Sequence, residues 1–296
     1  MTVQEWIRET TALLTDALGL DGEEARQEAR FILEELCGWS WAEQLALAKH
    51  DLDAKVIEYL DQIRARRLKH EPLTAIFDSA YFYGHKFSLQ QATLAPRTET
   101  ELLVDWALEI LDDDYRDRQA PLRLAELCAG SAAPGLSLLA ELEQSGRSAK
   151  LLLLDISASA LAVARDNAEA LGLLEACRFE EADLFPLAIE EFDIILANPP
   201  YIATTELEGL MPEVRDYDPR LALDGGADGL DFYRRLAAGI RPYLAPGGHL
   251  LLEHGAGQRQ AICDLFVAAS KSYTPRIRYR DDYAGLDRLL AVSYPE

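Results

Sequence analysis

The sequence predicts an α/β protein in two parts. A small all-helical domain is expected over residues 1–79, and a mostly parallel, seven-stranded sheet covered by helices on both faces over residues 99–296, with a β-hairpin linker at 80–98 between them. Three observations lead there. At 296 residues the chain exceeds the ~100–200 residues typical of one domain. Apolar residues recur at helical spacing through the first eighty positions. From residue 122 onward, short continuous apolar runs alternate with helical stretches, the pattern of strands buried on both faces.

Taken in order, Trp6, Thr10, Leu13, Leu14, Ala17 and Leu18 mark the first helix, which Gly19 ends. Ala25, Ala29, Phe31, Ile32, Leu33 and Leu36 mark a second, ending near Gly38. A third runs from about Asp53 to Leu68 through Val56, Ile57, Leu60 and Ile63. Its Arg64, Arg66, Arg67 and Lys69 lie in the last turns, where the helix dipole favours cations. This bundle has no obvious catalytic group. From Ala80 to Ala95, aromatic and β-branched residues with short polar gaps read as a hairpin. A helix through Leu103 and Ala107 follows. Strands are expected near Leu122–Leu127, Lys150–Leu154, Cys177–Glu180, Phe192–Ala197, His249–Glu253, Arg276–Tyr279 and Leu289–Ser293, the last two forming an antiparallel edge hairpin around Gly285. A helix over Ala160–Leu171 separates the second strand from the third.

Composition narrows the function. With 51 acidic against 29 basic residues the net charge is −22, which repels a phosphate backbone and disfavours nucleic acid as substrate, although an acidic surface also serves solubility. No uncharged apolar run approaches the ~18 residues of a membrane span, and residues 1–6 lack the basic and apolar segments of a signal peptide. Cys37, Cys128, Cys177 and Cys263 are isolated, which suggests neither a disulfide framework nor a metal site and fits a reducing cytoplasm.

The most informative stretch is Asn198-Pro199-Pro200-Tyr201, directly after the apolar run 192–197. In a parallel sheet, ligands sit at the carboxyl ends of the strands, and two prolines that cannot continue a ladder hold the asparagine rigidly there. The Asn198 side-chain oxygen and the Pro199 carbonyl, the latter kept extended by Pro200, can each accept a hydrogen bond from an NH2 group while the Tyr201 ring covers its flat face. Taken alone, the tetrapeptide can equally be a strand end with a Pro-Pro turn and a packing tyrosine.

Its context resembles the S-adenosylmethionine-dependent amino-methyltransferases, and within them the PrmC (HemK) family, which methylates the glutamine of peptide chain release factors. The residues that carry the likeness include Glu71-Pro72-Leu73, Phe82-Tyr83-Gly84 and the run from Leu94 to Glu101. Beyond the tetrapeptide come Pro212-Glu213-Val214-Arg215, the run from Tyr217 to Gly226, Gly229-Leu230, the run from Leu250 to Gly255 with Gln258, and the run from Asp282 to Arg288. The resemblance implies a Rossmann-like methyltransferase fold, S-adenosylmethionine as cofactor, release factors as protein partners docked by the helical domain, and a cytoplasmic protein expected to be a monomer.

It also implies a cofactor site. Family members carry Asp-Leu-Gly-x-Gly-x-Gly at the end of the first strand, where this chain has Glu126-Leu127-Cys128-Ala129-Gly130-Ser131-Ala132. Gly130 keeps the middle glycine, whereas Cys128 and Ala132 replace the outer two, at about 1 kcal/mol each if their backbone is left-handed. Asp155, ending the second strand, is expected to accept hydrogen bonds from both ribose hydroxyls. The alternative, a helix cap, suits Ser157 better. Asp183 lies where the family binds adenine, with Leu184 and Phe185 as apolar ring contacts; a simple loop acid is the other reading. Arg97, Thr98 and Glu99 are candidate contacts from a loop over the cofactor, or else residues 98–101 are an acidic helix start.

The chemistry this implies needs no strong base. A carboxamide nitrogen is a poor nucleophile, and the protein's contribution is to orient it at ~3 Å in line with an activated methyl and to stabilise the positive charge that grows on it. His85 and His254 are then loop or supporting residues. Two alternatives stand beside this reading: methylation of a ribosomal-protein glutamine or of an adenine amine, and a catalytically silent binding protein that keeps the fold.

Overall fold

The structure is a computed structural model and describes residues 1–116, 118, 120–270 and 274–295. In chain order its first elements are helices α1 (Val3–Leu18), α2 (Gly22–Cys37), α3 (Trp41–Ala46), α4 (Ala54–Arg67) and α5 (Leu73–Ile76), then strands β1 (Ser79–Phe82) and β2 (His85–Ser88). There follow α6 (Glu101–Asp114), β3 (Leu122–Leu127), α7 (Ala133–Gln144), β4 (Ala149–Asp155), α8 (Ala158–Ala170), β5 (Cys177–Glu181) and β6 (Phe192–Ala197). The remainder is α9 (Pro212–Arg215), α10 (Arg220–Leu223), α11 (Asp231–Gly239), β7 (Leu244–Glu253), α12 (Arg259–Ala269), β8 (Arg276–Asp281) and β9 (Asp287–Ser293). The chain divides into two compact units: residues 1–78 with 211–217, and residues 79–210 with 218–296.

The first unit is helical because its ends are well written. Thr2 and Glu5 form a capping box at the start of α1, and Gly19 closes it in the left-handed conformation at φ 71°. Asp21 caps α2, Asp53 caps α4, and Gly38 repeats the left-handed stop. Helix α3 was not foreseen; Ser40 and Glu43 give it a second capping box. Val3, Trp6, Ala29, Ile32, Leu33 and Leu60 make the core. Leu13 and Leu36, expected on the apolar faces, are exposed. Arg67, expected as a cation at the helix end, is buried, and its guanidinium forks onto Glu28 at 2.8 and 3.1 Å and reaches Glu213 of α9 at 3.2 Å.

The second unit holds the sheet, with strand order β5-β4-β3-β6-β7-β9-β8. β3 pairs in parallel with both β4 and β6, so the strand order reverses direction between β3 and β6. β9 runs antiparallel to β7 and β8, which makes the expected edge hairpin. Every residue of β6 is buried, as its apolar run requires, and the one charged member, Asp193, is held by Arg118 and by the Arg123 N–H. The hairpin at the start is shorter than expected: its turn is Tyr83-Gly84 at φ 49° and 76°, and its strands stop at Ser88. Residues 89–97 form a loop instead, since Thr93 accepts from the Gln90 N–H and donates to the Gln90 carbonyl, folding the chain back on itself. Among the described residues, no helix is long and apolar enough to cross a membrane.

Candidate active site

Where β3 ends, the chain enters the loop 128–132, and its backbone is left-handed at three of five positions: Cys128 at φ 55°, Gly130 at 54° and Ala132 at 61°. Cys128 and Ala132 therefore carry the strain expected for a side chain where glycine is easy, about 1 kcal/mol each. Hydrogen bonds offset it. The Ala129 N–H donates to the Leu154 carbonyl at 2.9 Å and the Gly130 N–H to Asp155 Oδ2 at 2.8 Å. The Asn167 amide of α8 donates to the Ser131 carbonyl at 3.0 Å. Ala132, fully buried, is the residue before α7. Three positions on, a side chain at Gly135 would collide with the Glu126 carboxylate, which accepts the Gly135 N–H at 2.9 Å.

This loop is one wall of a cavity of about 240 Å³ at the carboxyl ends of β3, β4 and β6, the switch point of the sheet. Glu126, Cys128, Ala129, Gly130 and Ser131 line it, as do Asp155, Asp183, Leu184, Asn198 and Pro200. Ala132, Pro199 and Tyr201 are not on its wall. From the loop before α6, Arg97 and Thr100 face it, whereas Thr98 and Glu99 do not. Arg97 is steadied by Asp218, whose Oδ2 accepts its Nη2–H at 2.5 Å. Ile156 and Phe232 add apolar wall that the sequence did not single out. Ile156 is half exposed directly after Asp155, a position where an apolar side chain otherwise gains nothing.

The carboxylates differ in setting. Glu126 is 4% exposed, and burial, opposed by the Gly135 hydrogen bond and aided by the Asp155 charge, pushes its pKa up to about 8. Burial likewise pushes the Cys128 thiol far up, so it is a neutral small side chain. Asp155 Oδ1 accepts the Ser157 N–H at 2.9 Å, but the cap of α8 is Ser157, whose Oγ accepts the Ala160 N–H. Asp183 is ion-paired with Arg235 at 2.8 Å. Leu184 is 4% exposed at φ 76°. Phe185 departs from its expected place: it stacks on Tyr243 at 5.4 Å and packs over Gly239, away from the cavity wall.

At the end of β6, Asn198 meets two groups from distant parts of the sequence. Its Nδ2 donates to Thr100 Oγ1 at 3.4 Å, and Thr100 Oγ1 donates to Glu253 Oε2 at 2.6 Å. Glu253 ends β7 and is 2% exposed; burial, opposed by Thr100, raises its pKa to about 7. The prolines and Tyr201 are clamped from behind by residues 223–229. The Ile202 N–H donates to the Leu223 carbonyl and the Gly225 N–H to the Ile202 carbonyl, at 3.0 and 2.8 Å. A Cβ at Gly225 would stand 2.8 Å from both the Pro200 carbonyl oxygen and Tyr201 Cα, and one at Gly229 would press into the Tyr201 carbonyl oxygen. Gln258 Nε2 donates to that carbonyl at 2.9 Å, while its Oε1 accepts the Gly255 N–H. The Tyr201 ring packs on the apolar core beside Gly255, and burial pushes its hydroxyl up to about 12. His254 is buried, with Nδ1 against the Gly255 carbonyl at 2.9 Å, and His85 lies on β2; neither faces the cavity. Among the described residues no cluster of three or more metal-ligating side chains occurs.

Comparison with known proteins gives two family matches, a PrmC N-terminal domain over residues 5–77 and a methyltransferase domain over residues 128–277. A release factor glutamine methyltransferase of Cereibacter sphaeroides is 36% identical over 279 residues, covering 94% of each chain. One of Bradyrhizobium diazoefficiens is 38% identical over 248 residues, 84% of this chain and 82% of that one. Among solved structures, the N-terminal domain of human METTL16 in complex with SAH matches with a TM-score of 0.51 at 15% identity, covering 72% of this chain and 77% of that one, a likeness of fold.

Proposed function

The chain belongs to the release factor glutamine methyltransferase family, and from that premise we propose that it transfers a methyl group from S-adenosylmethionine to the side-chain amide nitrogen of a glutamine, the one in the Gly-Gly-Gln motif of peptide chain release factors. The observation that carries the reading is the corner where Asn198 and Pro200 open onto the same cavity as the left-handed loop 128–132 and Asp155.

The cavity fits the cofactor. Its wall joins Gly130 and Ser131, the carboxyl of Glu126 and the carboxylate of Asp155, suited to an amino-acid tail and ribose hydroxyls, to the apolar Ile156, Leu184 and Phe232, suited to a flat base. When bound, S-adenosylmethionine supplies a methyl already activated on a sulfonium. The chain's residues then have one task, to hold a neutral amide nitrogen in line. Asn198 Oδ1, on the cavity wall, and the carbonyl of Pro199, the next residue along, accept its two N–H bonds, fixing the amide so that its lone pair faces the methyl and stabilising the charge that grows on nitrogen in the transition state. Tyr201 supports this from beneath, its carbonyl tied to Gln258 and its ring fixed in the core. Once methylated, the cationic nitrogen is a strong acid and sheds one of its two protons to water, so neither a general base nor a metal is part of this account.

The helical unit is read as the docking surface for the body of the release factor, and the protein as a cytoplasmic monomer. The net charge of −22 favours a protein over a nucleic-acid substrate. Calorimetry with S-adenosylhomocysteine tests the cofactor half of the reading. The wild type binds, and Asp155→Ala weakens binding roughly tenfold to a hundredfold. The same substitution lowers stability by only about 1–3 kcal/mol through two lost backbone hydrogen bonds. Absence of heat at millimolar ligand refutes it.

A further inference from the structure

Resting on the reading of Asn198 as the acceptor of the substrate amide, we infer that Glu253 and Thr100 are positioning residues that set which way round the Asn198 amide stands. Thr100 has a single hydroxyl proton, and it is given to the Glu253 carboxylate at 2.6 Å. An ionised carboxylate can only accept, so the bond cannot run the other way. What Thr100 has left for Asn198 is lone pairs, and these select the Nδ2 side of the amide, which donates at 3.4 Å. The Asn198 amide also favours the ionised form of Glu253, a second reason for its N–H bonds to face that way. Oδ1 is thereby left for the cavity that Asn198 lines, as an acceptor for a carboxamide NH2.

Reversing the first bond reverses the chain. If Glu253 is protonated it can donate to Thr100, whose own hydroxyl then turns to Asn198 and attracts Oδ1. The amide flips, and its NH2 meets the NH2 of the substrate, donor against donor. Burial holds the Glu253 pKa near 7, within reach of this change. The groups around the carboxyl are few. Arg288 on β9 favours ionisation and Glu99 before α6 opposes it. Tyr201 and Tyr233 lie within electrostatic reach, and the Tyr233 hydroxyl of α11 donates to the Glu253 backbone carbonyl at 2.8 Å.

The test uses the full-length protein with an intact release factor as substrate. Thr100→Val keeps the shape and removes the relay. It is expected to lower kcat on the order of tenfold to a hundredfold, with affinity for S-adenosylhomocysteine within twofold of wild type, and Thr100→Ser is expected to restore the rate. Wild-type kcat is expected to fall below about pH 7, and Glu253→Gln to flatten that acid limb. In the protein without ligands, the Asn198 side-chain amide resonances should shift through the same pH range and stay still in Glu253→Gln, a reading that holds even if Thr100→Val does not fold. An unchanged kcat in Thr100→Val, or an acid limb and resonance shift that persist in Glu253→Gln, overturns the inference. Asn198→Ala separates the two levels. If it is inactive while Thr100→Val is fully active, only the relay is wrong; if it is fully active, the parent reading of Asn198 falls.

Discussion

The place of Asn198 was legible in the sequence because it is set locally: an amide at a strand end, on the cavity wall, made rigid by the two residues that follow it. Asn198→Ala should therefore lower kcat by at least a hundredfold while leaving the affinity for S-adenosylhomocysteine within a few fold, because the interaction it removes strengthens only as charge develops. Parallel steady-state kinetics and calorimetry check both halves. Thr100 was not legible in the same way. Its partner Glu253 lies 153 positions further along the chain, and nothing in a threonine ahead of an acidic helix start announces that its hydroxyl is spoken for. Phe185 shows the opposite error. An aromatic residue beside Leu184 looks like a contact for a base, but Tyr243, 58 positions away, offers it a better stacking partner in the core.

At the scale of elements, the central strands were readable because runs buried on both faces leave a mostly apolar signal, and α1 and α2 because their caps are explicit. Segments whose form depends on what they pack against were not. Residues 89–95 were expected to continue the hairpin, yet Ala92, Leu94 and Ala95 form cavity wall, and α9 lies in the helical unit although strands of the other unit flank it in sequence. The segment 223–229 stood out only by resemblance; the structure supplies the reason, since Gly225 and Gly229 leave room for the backbone of Pro200 and Tyr201. Gly229→Ala should then displace the Tyr201 carbonyl from Gln258, and strain at φ 74° adds to the effect. The expected result is a loss of roughly 1–3 kcal/mol in stability by denaturant unfolding, with a tenfold or greater fall in kcat, while S-adenosylhomocysteine binding is nearly retained.

For the whole molecule, two buried carboxyls make stability depend on pH in an unusual direction. Glu126 and Glu253 have pKa values raised to about 8 and about 7, so over the neutral range the folded protein holds protons that the unfolded chain has lost. Stability of the unliganded protein should fall as pH rises from about 6.5 to 8.5, by on the order of 2 kcal/mol for Glu126 alone. Below about 6.5 the trend is opposed by His249 and His254, whose burial lowers their pKa values and favours unfolding on acidification. Urea unfolding across this range should show the decline, and Glu126→Gln should reduce its slope; a wild-type stability that is flat or rises with pH would contradict it.

The proposal that the helical unit docks the body of the release factor gives the substrate claim its size dependence: under it, a free Gly-Gly-Gln peptide lacks the contacts with the helices that a whole release factor makes. The most direct measurement is mass spectrometry of an intact release factor after incubation with the protein and isotopically labelled S-adenosylmethionine. The account predicts one labelled methyl on the side-chain nitrogen of the Gly-Gly-Gln glutamine, formed far faster than on the isolated peptide and absent with Asn198→Ala. Label on DNA but on no release factor, or an undiminished yield from Asn198→Ala, would contradict it.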